Sequence, residues 1–238
     1  MNTESLNGRS GMGRWRHEYK YIIDRKQEAV LNLKAKGIMA KDPHALETGG
    51  YTIRSLYFDD LSNSCLYENL AGYDPRAKFR IRYYNENPEL IFLEKKIKVR
   101  GMCRKESCRL TMEECRTLMA GLIPAIAEDM PAEKKELLTE LELLGMRPRV
   151  IVTYERIPYI YPGGNVRVTF DRSISSSEEI ERFITGQYAA RPVLPCGQSI
   201  LEVKWDEVLP LHIRETLNTG RLVWTAFSKY AMCRKYHL

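Results

Sequence analysis

The stretch KFRIRYYN, residues 78–85, sets Lys78, Arg80 and Arg82 on alternate positions with Phe79, Ile81 and Tyr83 between them. Successive side chains of a β-strand point to opposite faces of the sheet, so this spacing predicts a strand with one basic and one apolar face. Taken alone, it describes a solvent-facing strand equally well. Its neighbours in the chain decide what it means.

The same alternation recurs in RHEYKYIID (16–24), YTIRSLYFD (51–59), LIFLEKKIKVR (90–100), RVIVTYER (149–156), NVRVTFD (165–171) and SILEVKWD (199–206). Short strands with turn-rich connections predict an antiparallel sheet or barrel, and YPGGN (161–165) supplies glycines for a hairpin turn that needs positive φ. Helical patterns lie between the strands. One covers 25–37; another opens at Thr111, which with Glu114 forms a capping box. A third, MPAEKKELLTELELLG, has Pro131 in its first turn, leucines 137, 138, 141 and 144 on one face and Gly145 as its stop. A fourth covers roughly 206–218, with Gly220 beyond it. Strands stand on both sides of the 111–145 helices, which therefore read as an insertion against the sheet. The fold class is α+β, with a flexible segment over 1–14 and a single domain over 15–238.

Parity sorts the charges. Arg16, Glu18 and Lys20 share a face opposite His17, Tyr19 and Tyr21. Glu94, Lys96, Lys98 and Arg100 oppose Leu93, Ile97 and Val99; Glu202 and Lys204 oppose Leu201, Val203 and Trp205; Arg167 and Asp171 oppose Val166, Val168 and Phe170. Amphipathic helices covering the apolar faces would leave the charged faces together, toward water on an open sheet or toward one another inside a barrel. Two cations about 6 Å apart repel by roughly 0.7 kcal/mol in water and roughly 3 kcal/mol at an effective dielectric near 20. A charged lumen therefore requires acidic partners, a metal or a bound anion.

The 238 residues carry a net charge of +6, which favours an anionic partner of unspecified kind. No apolar run spans a bilayer and the N-terminus has no secretory core, so the expected location is cytoplasmic. The six cysteines form no C-x-x-C pair; Cys103, Cys108 and Cys115 have a metal-like spacing that no paired histidines complete, and all six read as reduced thiols. The four scattered histidines, with His17 on an apolar face, argue against histidine catalysis. Phosphate-binding glycine loops, kinase motifs, H-E-x-x-H and the serine nucleophile elbow are missing. Arginine forks fit pairs of phosphate oxygens. Glu18, Glu94 and Glu202 among the cations would orient them by salt bridges or ligate Mg²⁺ or Mn²⁺. The tyrosines and Phe79 fall mainly on the apolar parity, which counts against single-stranded nucleic acid as the partner.

In order along residues 16–230, RHEYKY, SLYFD, KFRIRYY, LEKK, RVTFD, LEVK and FSKY resemble the vacuolar transporter chaperone (VTC) domain, the polyphosphate polymerase domain of the triphosphate tunnel (CYTH-like) superfamily. The resemblance implies an antiparallel β-barrel tunnel with helices outside, holding a triphosphate or polyphosphate chain with one divalent metal, Mn²⁺ or Mg²⁺. It implies polymerisation of phosphate from ATP onto inorganic polyphosphate, with a triphosphatase of the same fold or a polyphosphate-binding module as alternatives. Catalytic roles fall to Arg80, Arg82 and Lys96. Phosphate binding falls to Lys20, Arg16, Arg54, Lys78, Lys105, Arg156, Arg167, Lys204, Ser228 and Lys229, and metal binding to Glu202 and Glu18. Arg16 stands where triphosphatases and cyclases of this fold carry the first Glu of E-x-E-x-K, which favours polymerase over hydrolase.

Overall fold

Each stretch of two-residue alternation is a strand of one curled antiparallel sheet. The computed structural model describes residues 11–47, 49–218 and 222–237. In chain order the elements are β1 (Gly11–Met12), β2 (His17–Asp24), α1 (Arg25–Ile38), β3 (Ala40–Lys41), β4 (Tyr51–Asp59), α2 (Ser64–Ala71), β5 (Arg76–Tyr84) and β6 (Asn87–Val99). There follow β7 (Met102–Leu110), α3 (Met112–Met119), α4 (Ala132–Leu143), β8 (Arg147–Tyr161), β9 (Val166–Ser177), β10 (Arg191–Pro192), β11 (Gln198–Trp205), α5 (Leu211–Leu217) and α6 (Lys229–Lys235).

The sheet order is β1-β7-β6-β5-β4-β8-β9-β11-β2, with β10 beside β9 and β3 beside β8. One stretch of chain brings the two edges together. β1 pairs with β7, Arg16 exchanges backbone hydrogen bonds with Cys103 at 2.9 and 2.8 Å, and β2 then crosses to pair with β11. Along the rest of the seam, Thr225 N–H donates to Lys20 O at 2.9 Å, so residues 222–228 flank β2. The sheet is thereby a tunnel.

Helices cover its outer face in two groups. Leu31 and Ala35 of α1 and Ile213 and Leu217 of α5 bury against Val168, Phe170, Leu201 and Val203. Leu137, Leu138 and Leu141 of α4, with Cys115 and Leu118 of α3, bury with Ile81, Leu93 and Leu110. Full burial of each such leucine is worth about 1.5–3 kcal/mol, which is what keeps these short helices in place. The Thr111–Glu114 capping box forms, and YPGGN joins β8 to β9 with Gly164 at φ +70° against the Val208 carbonyl, where a side chain has no room.

Several expectations need correction. α1 runs one residue beyond the expected 37, to Ile38, and leaves by an extended Met39. The fourth helix begins only at Leu211, because Pro210 holds the extended backbone ahead of it; Gly220 lies outside the described residues. Residues 1–10 also lie outside them, whereas Gly11–Met12, expected to be flexible, pairs with β7. β7, α2 and α6 were not anticipated. Among the described residues no helix is long and apolar enough to cross a membrane.

Candidate phosphate tunnel

The lumen is a cavity of about 430 Å³, lined among the described residues by thirteen Lys and Arg side chains and three carboxylates. That volume suits a small ligand. Strand register explains the wall formed by β5, β6 and β7. Arg80 stands opposite Glu94, and its guanidinium donates from Nε at 2.8 Å and Nη2 at 2.6 Å to Glu94 Oε2. Lys105 of β7 reaches the other oxygen at 2.9 Å, and Arg82 approaches to 3.6 Å. Hydroxyls of β4 and β8 spread the two arginines: Arg80 donates to Tyr57 at 2.9 Å, and Arg82 donates to Ser55 and Tyr154, each at 3.2 Å. Burial opposes the Glu94 charge, yet Arg80, Arg82 and Lys105 hold the carboxyl well below its usual range.

The opposite wall holds more acid. Arg156 grips Asp171 with Nε at 2.7 Å and Nη2 at 2.8 Å, and Nη2 also reaches Glu202 at 3.1 Å. Lys229, from the start of α6, lies 2.5 Å from Asp171. Lys204 Nζ stands between two carboxylates, 2.8 Å from Glu202 and 3.4 Å from Glu18, while Lys96 reaches across the lumen to Glu18 at 2.6 Å. Burial pushes Glu18 up and Lys20, Lys96 and Lys204 outweigh it, leaving a pKa of about 2. Glu202, also buried, is held well below its usual range, chiefly by Lys204 and Lys20. Burial brings the Lys204 ammonium down to about 8 despite both carboxylates.

At one mouth Arg167 bonds Asp42 at 2.6 Å and Arg16 bonds Asp206 at 2.8 Å. Toward the other end Lys78 donates to Ser228 Oγ at 3.1 Å and Lys20 to Phe227 O at 3.2 Å. No carboxylate lies within salt-bridge distance of Lys78 among the described residues. Burial, with Lys96 and Lys20 beside it, holds its ammonium well below the ordinary lysine range. A half-buried cation in this position is stabilised by whatever anion enters.

The lumen thus gathers Lys20, Arg16, Lys78, Arg80, Arg82, Lys96, Lys105, Arg156, Arg167, Lys204, Lys229, Glu18 and Glu202, with Ser228 at its edge. Arg54 is the exception. It projects from the outer face of β4, donates to the Tyr83 hydroxyl, reaches Glu86 at 3.2 Å and lies over the Tyr83 and Tyr188 rings with Gly186 against its guanidinium. Both faces of β4 are buried, so apolarity could not tell its inside from its outside. The same ambiguity hid Tyr51 and Tyr57, which together with Tyr84 and Tyr154 line the lumen rather than the apolar side. Tyr51, Tyr57 and Tyr154 are 8%, 3% and 2% exposed, and their hydroxyls accept from arginines. They are hydrogen-bond acceptors within the tunnel and offer no exposed stacking platform.

Among the described residues no three His, Cys, Asp or Glu side chains form a metal cage. The adjoining Glu18 and Glu202, already sharing the Lys204 ammonium, do fit Mg²⁺ or Mn²⁺, which takes one or two carboxylates and completes its shell with phosphate oxygens and water.

A curled antiparallel sheet with an inward basic face and outer helices defines the triphosphate tunnel fold. A candidate adenylate cyclase from Bacillus halodurans shares it at a TM-score of 0.50 and 13% identity, over 87% of each chain. A Pyrococcus horikoshii protein aligns at a TM-score of 0.47 and 12% identity, over 93% of this chain and 99% of its own. We found no match among curated proteins. The VTC domain model matches residues 15–237, and the chain belongs to that family.

Proposed function

We propose that the protein is a metal-dependent polyphosphate polymerase, transferring the γ-phosphoryl group of ATP to the end of an inorganic polyphosphate chain inside the tunnel. The observation that carries this reading is the lumen itself, in which, among the described residues, thirteen Lys and Arg side chains meet three lining carboxylates and a half-buried Lys78 has no carboxylate within salt-bridge distance. The attacking oxygen of a phosphate chain is already ionised, so the reaction needs no protein nucleophile and no strong base. Catalysis becomes positioning and charge neutralisation. Arg80 and Arg82, held apart by Tyr57, Ser55 and Tyr154, present N–H groups to the transferring phosphoryl group, and Lys96 adds charge from the same face. Lys20, Lys78, Lys105, Arg156, Arg167, Lys204 and Lys229 align the remaining phosphates, with Arg16 at the mouth. Glu202 and Glu18 would hold the divalent ion, which when bound neutralises phosphate charge and orients its oxygens.

Purified protein incubated with ATP and Mn²⁺ or Mg²⁺, followed by a polyphosphate gel and a free-phosphate assay, tests the proposal. A ladder of long chains supports it. Free phosphate without a ladder indicates a triphosphatase of the same fold, and neither product, with tight polyphosphate binding, indicates a binding module.

A further inference from the structure

α6 enters the tunnel by its first residue. Ser228 caps the helix, accepting from Ala231 N–H at 3.3 Å, and the same oxygen accepts from Lys78. Lys229 then faces Asp171 and Glu202. One residue on, roughly 100° around the helix, Tyr230 turns away from the lumen and is fully buried. Its hydroxyl donates to Asp59, itself fully buried, whose oxygens also accept from the N–H groups of Cys65 at 2.8 Å and Leu66 at 3.1 Å in α2. The Tyr230 ring stacks on Tyr57 with centroids 5.2 Å apart, and Tyr57 in turn accepts from Arg80.

A helix of seven residues has little stability of its own, so side-chain anchors set where it lies. At its far end Arg234 holds Asn63 and Glu178 at 3.2 and 3.1 Å. At the end that carries Lys229, the Tyr230–Asp59 bond is the anchor on the side away from the lumen. We propose that Tyr230 is a positioning residue for the phosphate-binding cations: its hydroxyl sets the depth of Lys229 in the tunnel, and its ring backs Tyr57 and therefore Arg80. Tyr230 does not itself line the lumen and acts through these neighbours. This inference rests on the phosphate-tunnel reading.

The test is calorimetric titration of inorganic tripolyphosphate into the full chain and its variants. Tyr230→Phe keeps the ring and removes the donor, and should raise the Kd roughly tenfold, the worth of one hydrogen bond to a charged group, while the binding stoichiometry stays at the wild-type value. In a Lys229→Met background the same substitution should change the Kd little, because the group it positions is gone. A purely structural Tyr230 gives the opposite split: stoichiometry falls with the unfolded fraction, and the Kd of the remaining protein is unchanged. That result, or equal effects of Tyr230→Phe in both backgrounds, overturns the assignment. If the wild-type chain itself fails to bind tripolyphosphate, the tunnel reading falls and takes this role with it.

Discussion

The two walls of the tunnel are made from the same kind of strand and divide their charges differently. On the β5–β6–β7 wall one carboxylate, Glu94, serves Arg80, Arg82 and Lys105. On the facing wall Asp171, Glu202 and Glu18 share Arg156, Lys229, Lys204 and the cross-lumen Lys96. The first wall keeps a cationic excess. The second is nearly balanced and holds the two adjoining carboxylates that suit a divalent ion. Under the proposed function, a polyanion between them meets guanidinium on one side and, on the other, the two carboxylates proposed to hold the metal.

The largest effect should come from removing the first wall's single acid. Glu94→Gln leaves Arg80, Arg82 and Lys105 without their counter-charge in a buried site, and should cost about 3–5 kcal/mol in urea denaturation. Added tripolyphosphate should restore part of that loss, since it supplies the missing negative charge. An unchanged midpoint would show that the wall does not depend on Glu94.

Arg80→Ala tests the functional half of the comparison. Turnover of ATP should fall about 100-fold, as for other preorganised donors to a transferring group, with the thermal midpoint largely retained. Undiminished turnover in a folded variant would remove Arg80 from the mechanism.

The second wall should reveal itself through acid. Glu18 has a pKa of about 2 in the folded chain against an ordinary 4.5, because Lys20, Lys96 and Lys204 overcome the effect of its burial. A depressed carboxylate contributes stability above its unfolded pKa and loses it as pH falls through the folded value, so the loss spans pH 4.5 to 2. Over that window Glu18→Gln should show a flatter dependence of stability on pH than the wild type. Identical slopes would mean that Glu18 is not held by these lysines.

The smallest functional effect belongs to Arg54. Arg54→Lys should weaken packing beneath Tyr188 and Tyr83 by about 1–2 kcal/mol and leave tripolyphosphate affinity as it was. A clear loss of affinity would put Arg54 back among the phosphate ligands.

How far the site could be read before folding depended on whether a strand was half-buried. β5 carries cations on one face and Phe79, Ile81 and Tyr83 on the other, so Lys78, Arg80 and Arg82 were legible as one wall. β4 is buried on both faces, and there parity gives no direction: the sequence pattern points Arg54 inward and Tyr51 and Tyr57 outward, the reverse of their places in the fold. α6 begins inside the FSKY motif, at Lys229, but is too short for a periodic pattern, so Lys229 could be named while the helix that delivers it could not.

By itself the sequence determined most of the long strands, the charged faces of those that are half-buried, and the longer helices that hide their apolar faces, because alternation and capping act between residues close in the chain. Tertiary structure alone decided that Lys96 would meet Glu18 across the lumen, that Lys204 would stand between two carboxylates, and that Tyr230 would hang from Asp59. Those contacts join residues far apart in sequence. Their partners are chosen by how the sheet curls and where its edges meet, and a pattern of period two carries no record of that curvature.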